Sequence, residues 1–456
     1  MERMSTLDAG FFFAEHANVP MHLGALAVFE GPAPTRQELA CLYAAKLPRV
    51  PRYCQVVRTA PLQLFRPAWI DDEHFDIGNH LIRSVVPKPG RTTELHRLAG
   101  QIYAQPLDRS RPLWEAWLLD GIENGRWAIL SKVHHCMVDG AGGADLMAEV
   151  FDLHPEARPA VQPADWQRQP GPSLAGSFAN GLRDAVLRPL QAMIAVPWLV
   201  RDRLPGWSDL AAFTCGLASG IQRLTVPSAS SLNGPIGSAR RWAWTTASLD
   251  TVKQIGAEFG CSVNDVLLAA ITRGFRDLLI ERRELSSGMV VRSLVPVSIR
   301  CATERGEITN RLSAVLANLP VAEPDPIRRL QFVSDQMGEI KRTRQAAGGE
   351  LLTQMLGAAP PSLLRLGTLA AFQIPQPLVQ TVTTNVPGPP FPLYILGRKM
   401  LQAHPYVPIG DNVKIAIAMF SYLGELSFGI TADSSAASDF DVLAKGIHRG
   451  LAELRP

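Results

Sequence analysis

Two apolar runs joined by a tight turn, and ending in histidine and glycine, restrict this fold more than any other feature. Pro112-Leu113-Trp114 leads into the largely apolar stretch Glu115 to Gly121, and Trp127 to Val133 follows after Asn124-Gly125. Asn-Gly accepts the positive φ angles of a hairpin turn, so residues 114–133 read as two antiparallel strands. The returning strand runs into His134-His135-Cys136-Met137-Val138-Asp139-Gly140-Ala141-Gly142-Gly143, and a helical segment follows from Ala144 to Leu153. Imidazole titrates at about pH 6.5, so its neutral ring can take a proton from a hydroxyl. A strand end holds such a ring rigidly, while the glycines let the backbone turn sharply and a substrate come close. Neighbours in extended chain point to opposite sides, so only one of the two histidines can face a cleft.

Other readings of this segment are weaker. A lone histidine on a strand is more often a satisfied core residue, but two in succession before Asp-Gly and a glycine cluster favour catalysis. Zinc would need a third ligand, and helical His-Glu-x-x-His spacing is absent, so no metal is expected. Cys136 beside the histidines reads as a small hydrophobe rather than a covalent nucleophile.

The rest of the chain alternates strand and helix signals in two blocks. Leu23 to Phe29 reads as a strand and Thr35 to Ala45 as a helix. Prolines 155, 159, 163, 170 and 172 mark a linker. Beyond it, Leu174 to Arg203 is basic and apolar, either a helix packed between domains or one lying on a membrane surface. From Gly234, strands are expected over Arg241 to Ala247, Met289 to Val297, Leu312 to Pro320 and Lys414 to Ser421. Helices are expected over Asp250 to Phe259 and Val263 to Leu279. A chain of 456 residues suits two domains of roughly 200 residues each. The expected division is 1–155 for an N-terminal domain, 156–233 for the linker and crossover helices, and 234–456 for a C-terminal domain. The fold class is mixed α/β.

Composition removes several functions. With 46% hydrophobic and 19% charged residues the chain can build large cores, and a net charge of +3 argues against a nucleic-acid binder. Arg240-Arg241 and Arg282-Arg283 read as solvated surface. Six scattered cysteines, none in a Cys-x-x-Cys pair, fit a reducing cytoplasm. The N-terminus lacks the build of a signal peptide. The longest uncharged stretch, between Arg365 and Arg398, is interrupted by prolines and does not make a spanning helix. A soluble or surface-lying protein is expected.

His134-His135-x-x-x-Asp139-Gly140 resembles the active-site motif of the CoA-dependent acyltransferase superfamily, which includes chloramphenicol acetyltransferase and peptide-synthetase condensation domains. Flanking motifs narrow the likeness to the bacterial wax ester synthase/diacylglycerol acyltransferase family. They are Leu7-Asp8-Ala9-Gly10-Phe11, Pro112-Leu113-Trp114, Asn233-Gly234-Pro235-Ile236-Gly237 with Arg240-Arg241, and Asn264-Asp265. Val295-Pro296-Val297-Ser298-Ile299-Arg300 and Thr384-Asn385-Val386-Pro387-Gly388-Pro389 complete the set, in family order over nearly the whole chain.

This resemblance implies a two-domain sandwich of mixed sheets, like chloramphenicol acetyltransferase and condensation domains, with an interdomain tunnel. It implies His135 as general base, His134 as support for the loop, and Asp139 as a structural anchor beside Gly140. Arg300 is the candidate partner of Asp139, against a plain surface arginine. Asn264 and Asp265 either cap a helix or shape the site, and Pro112, Leu113 and Trp114 pack. The implied reaction moves a long acyl group from acyl-CoA, a co-substrate, to a long-chain alcohol or diacylglycerol, with no tightly bound cofactor. A membrane or lipid-droplet surface is the implied partner. A superfamily enzyme with another acceptor (a polyketide, drug or amine) and a non-catalytic lipid-binding protein are the alternatives.

Overall fold

The computed structural model describes residues 2–59, 66–137, 149–156, 230–298, 312–342, 379–436 and 438–455. Its strands in the first half are β1 (Glu2–Arg3), β2 (His22–Phe29), β3 (Gln55–Arg58), β4 (Ala68–Asp71), β5 (Leu81–Val85), β6 (Trp114–Ile122) and β7 (Arg126–His134). The second half gives β8 (Arg240–Ser248), β9 (Val291–Ser298), β10 (Leu312–Leu319), β11 (Thr381–Val386), β12 (Tyr394–Ile395), β13 (Arg398–Tyr406), β14 (Ile415–Tyr422) and β15 (Glu425–Asp433). Helices are α1 (Thr6–Ala14), α2 (Arg36–Lys46), α3 (Thr92–Ala104), α4 (Leu249–Glu258), α5 (Val263–Glu281), α6 (Pro326–Arg342) and α7 (Phe440–Ala452).

The expected hairpin forms as β6 and β7, which pair antiparallel. Its turn places Asn124 at φ 64° and Gly125 at φ 65°, the left-handed conformation these two residues tolerate. Thr35 caps α2 in a reciprocal box with Glu38, so that helix begins where its side chains direct.

Among the described residues there are two six-stranded sheets and a small three-stranded one, β1-β4-β3. The first runs β12-β13-β2-β7-β6-β5 and the second β10-β9-β11-β14-β15-β8. Strands β12 and β13 come from late in the chain yet extend the first sheet, with β13 antiparallel to β2. Helix α3 makes the reciprocal reach and packs against β8 at the edge of the second sheet. A buried cluster joins the sheets there: Leu26, Val28, Ile102 and Tyr103 meet Trp242 and Tyr406. The second sheet has its own large core under α5 and α7, from Val266 and Phe275 to Phe428 and Ile447. Among the described residues no single helix is long and apolar enough to cross a membrane.

One arginine of each basic pair, Arg240 and Arg282, differs from the solvated reading, while Arg241 and Arg283 are exposed. The Arg240 guanidinium is buried, donates to the Gly237 carbonyl at 2.7 Å, bonds the Asn18 carbonyl, and lies 3.6 Å from the Asp433 carboxylate. Arg282 forks onto both oxygens of Asp439 at 2.6 Å and donates to Ser231 Oγ at 2.7 Å. A buried charge survives folding only with such counter-charges and acceptors, and Asn18, Asp433 and Asp439 come from segments far off in sequence.

Candidate active site

Strand β7 ends at His134, and the chain turns at once into a single 3-10 turn, His135–Met137. That change of direction separates the two rings. His134 is fully buried, while His135 keeps partial exposure. The His134 N–H donates to the Leu113 carbonyl at 2.9 Å, and the His135 N–H donates to the Met21 carbonyl at 2.7 Å. The backbone of the turn is thereby tied to two neighbouring segments.

Helix α1 lies against this turn. Ser5 caps it by accepting from the Asp8 N–H at 3.1 Å, which fixes where the helix starts. The Phe11 ring then stacks on His135, with centroids 3.7 Å apart and planes 21° apart. His135 Nδ1 is buried without a partner among the described residues. Burial pushes the His135 pKa down to about 4, because the charged ring would lose its hydration. The imidazole is therefore neutral at physiological pH, the state a general base requires.

Glu15, immediately beyond α1, places a carboxylate beside His134. Its side chain is 4% exposed. It accepts from the Met21 N–H at 3.0 Å and from Arg109 Nε at 2.8 Å, and lies 3.5 Å from His134 Nε2. Burial alone would raise its pKa; the contacts with His134, the Met21 amide and Arg109 more than offset this and hold it at about 2. His134 Nδ1 accepts from the Cys136 N–H at 3.1 Å. Cys136 is buried, and burial raises its thiol pKa well above the ordinary value.

The motif residues fall into separate places. Leu113 supplies the carbonyl beneath His134. Trp114 is buried, donates Nε1–H to the Tyr53 carbonyl at 2.8 Å and stacks on His80 at 4.6 Å, so Pro112-Leu113-Trp114 is a packing element. Asn264 and Asp265 open α5 in the second half. Asp265 completes a capping box with Ser262, accepting from its N–H at 2.9 Å. Asn264 Oδ1 meets Asn385 Nδ2 at 3.5 Å, which joins the Asn-Asp and Thr-Asn-Val-Pro-Gly-Pro motifs at the ends of α5 and β11. No hydrogen bond links either residue to His135 among the described residues. Asp139, Gly140 and Arg300 lie outside the described residues, as do 174–203 and 351–372.

Phe11, Glu15, Met21 and Arg109 escaped the sequence reading as site residues. Phe11 closes the Leu7-Asp8-Ala9-Gly10-Phe11 motif, and that motif was the available signal. Glu15, Met21 and Arg109 carried none, since their meeting depends on tertiary structure.

Known structures share this architecture. A wax ester synthase/diacylglycerol acyltransferase from Marinobacter aquaeolei superposes with a TM-score of 0.67 at 24% identity, covering 100% of this chain and 98% of its own. A starter condensation domain of rhizomide synthetase RzmA, solved with C8-CoA, superposes at 0.59 and 13% identity over 100% and 95%. The fold is thus that of condensation domains and related acyltransferases. In sequence, residues 4–267 match the model of the wax ester synthase/diacylglycerol acyltransferase catalytic domain, and 308–455 match the WS/DGAT C-terminal domain. The probable diacylglycerol O-acyltransferase tgs1 of Mycobacterium tuberculosis is 37% identical over 100% of this chain and 96% of its own length. The chain belongs to the wax ester synthase/diacylglycerol acyltransferase family.

Proposed function

We propose that His135 is the general base of an acyl transfer from acyl-CoA to the hydroxyl of diacylglycerol or a long-chain alcohol. The activity follows from the family: the chain is an acyl-CoA-dependent O-acyltransferase that makes triacylglycerol or wax ester. What supports the role of His135 is one observation, a neutral imidazole on a half-buried residue at a strand end, backed by Phe11 and tied down through its own N–H.

The ring takes the acceptor's hydroxyl proton as the oxygen attacks the thioester carbonyl. A C–O bond forms and a tetrahedral oxyanion results. The C–S bond then breaks, the imidazolium gives its proton to the departing sulfur, and the products are an ester and free coenzyme A. Phe11 has a use in this step. A ring face within about 6 Å favours a cation, so the stack stabilises the imidazolium that burial otherwise disfavours. Asp139 anchors the turn with Arg300, and His134 supports it. Acyl-CoA and acceptor reach His135 from opposite ends of a tunnel between residues 1–155 and 234–456. The enzyme works at a membrane or lipid-droplet surface, where its apolar acceptor resides.

The test is acyl-CoA consumption with hexadecanol and with diacylglycerol, read as free thiol release. His135→Ala is expected to lower turnover by about 10²–10⁴-fold. Full turnover in that variant would refute the role of His135.

A further inference from the structure

We propose that Glu15 is a positioning residue for acyl transfer, holding both histidines of the motif through its buried carboxylate. The proposal rests on His135 being the general base.

Two connections run from Glu15. The first passes through Met21, which bonds the carboxylate with its N–H at 3.0 Å and His135 with its carbonyl at 2.7 Å. A single peptide segment thus links Glu15 to the backbone of the base. The second passes through His134. Its Nδ1 accepts the Cys136 N–H, so its neutral ring carries the proton on Nε2. That Nε2–H lies 3.5 Å from Glu15 Oε2. The carboxylate therefore selects one His134 tautomer, and that tautomer accepts the Cys136 N–H inside the turn that presents His135. Arg109 closes the arrangement from outside: it donates Nε–H to Glu15 and Nη2–H to the Phe12 carbonyl at 2.7 Å, and covers the Phe12 ring at 4.3 Å. Glu15 is thus fixed to the helix whose Phe11 stacks on the base.

Charge, and not only shape, is required here. Three groups face the carboxylate: the Met21 N–H and the Arg109 guanidinium donate to it, and His134 Nε2 stands 3.5 Å away. In Glu15→Gln the amide oxygen satisfies one of them, and its NH2 then meets the others donor to donor. The turn relaxes, and displacements of an ångström near reacting groups cost about 10²-fold in rate.

The experiment measures kcat and KM for acyl-CoA in wild type, Glu15→Gln, His135→Ala and the double variant, with folding followed by circular dichroism. Glu15→Gln is expected to lower kcat by about 10- to 100-fold while KM stays within about threefold. In the His135→Ala background the same change is expected to have almost no further effect, because positioning an absent base does nothing. An unchanged kcat in Glu15→Gln, or an equal fold-loss in both backgrounds, would overturn the proposal. Full activity in His135→Ala alone would instead overturn the role of His135, so the two failures are distinct. If Glu15→Gln does not accumulate as folded protein, Glu15→Asp carries the same expectation. It keeps the charge, shortens the reach by one methylene, and is expected to lower kcat with KM unchanged; unchanged kcat would overturn the proposal.

Discussion

Replacing His135 by Asn removes a ring that burial keeps from accepting a proton, and the loss can be measured as a change in acid sensitivity. In the folded chain His135 titrates at about 4, against 6.5 when unperturbed. As pH falls below 6.5 the unfolded chain takes up a proton that the folded chain refuses until about pH 4. Stability therefore falls with pH through that window and is flat below it with respect to this group. The full gap of about 2.5 units corresponds to about 3 kcal/mol, of which about 2 kcal/mol is lost between pH 7 and pH 5. His96, also held at about 4 by burial, and His22 and His404, pushed well below their ordinary value by burial, act in the same direction. Glu15 acts elsewhere: with its pKa at about 2 it withdraws stability only as pH falls through 4.5 and below.

Denaturant unfolding of wild type and His135→Asn at pH 7 and pH 5 isolates the one ring, since the other histidines cancel in the difference. Wild type is expected to lose about 2 kcal/mol more than the variant on acidification. In protein labelled with 13C at histidine, the Cε1–H resonance missing from the variant is expected to stay fixed from pH 8 to about pH 5.5. A midpoint near 6.5, with no difference between the two proteins, would mean that the ring stands in water. That result would refute the account of a desolvated base.

Two further outcomes follow from packing. Cys136→Ala is expected to keep turnover within about threefold of wild type, and folded wild type to resist alkylation at this thiol, because burial suppresses the thiolate; a tenfold loss would show that the sulfur takes part. A Cβ on Gly446 of α7 would stand 2.7 Å from the Gly274 Cα of α5, a backbone atom that cannot step aside. Gly446→Val is therefore expected to cost about 1–3 kcal/mol in denaturant unfolding, with the second-sheet core affected most.

What the sequence discloses here is what short-range chemistry decides. The β6–β7 hairpin is legible because Asn124 and Gly125 must bend the chain, and α2 because Thr35 and Glu38 cap it reciprocally. Different environments for His134 and His135 are expected from extended-chain alternation, but it is the 3-10 turn beginning at His135 that separates the rings. The passage of β12 and β13 into the first sheet has no local sign, since β13 reads as an ordinary strand and its partner β2 lies some 370 residues earlier. Arg240 looks like surface charge for the same reason: Asp433 and the Asn18 carbonyl, which allow its burial, stand nearly 200 and more than 220 residues away.

The site shows that division at its smallest scale. The imidazole proposed as the base can be found from its own motif, since the strand before it and the glycines after it are adjacent in sequence. Its working state depends on groups that the motif does not contain. Phe11 covers one face, Met21 holds its N–H, and Glu15 gathers Met21, Arg109 and His134 around one buried charge. Those contacts share one carboxylate, so removing it leaves the Met21 N–H without its acceptor and takes away the counter-charge facing Arg109 and His134. A base whose proton affinity is set by burial is also sensitive to small openings, because water admitted to the ring raises its pKa toward 6.5 and loosens its aim. Rigidity and basicity at residue 135 are therefore not independent properties, and Glu15, which bonds the Met21 segment that holds the His135 N–H, bears on the first of them.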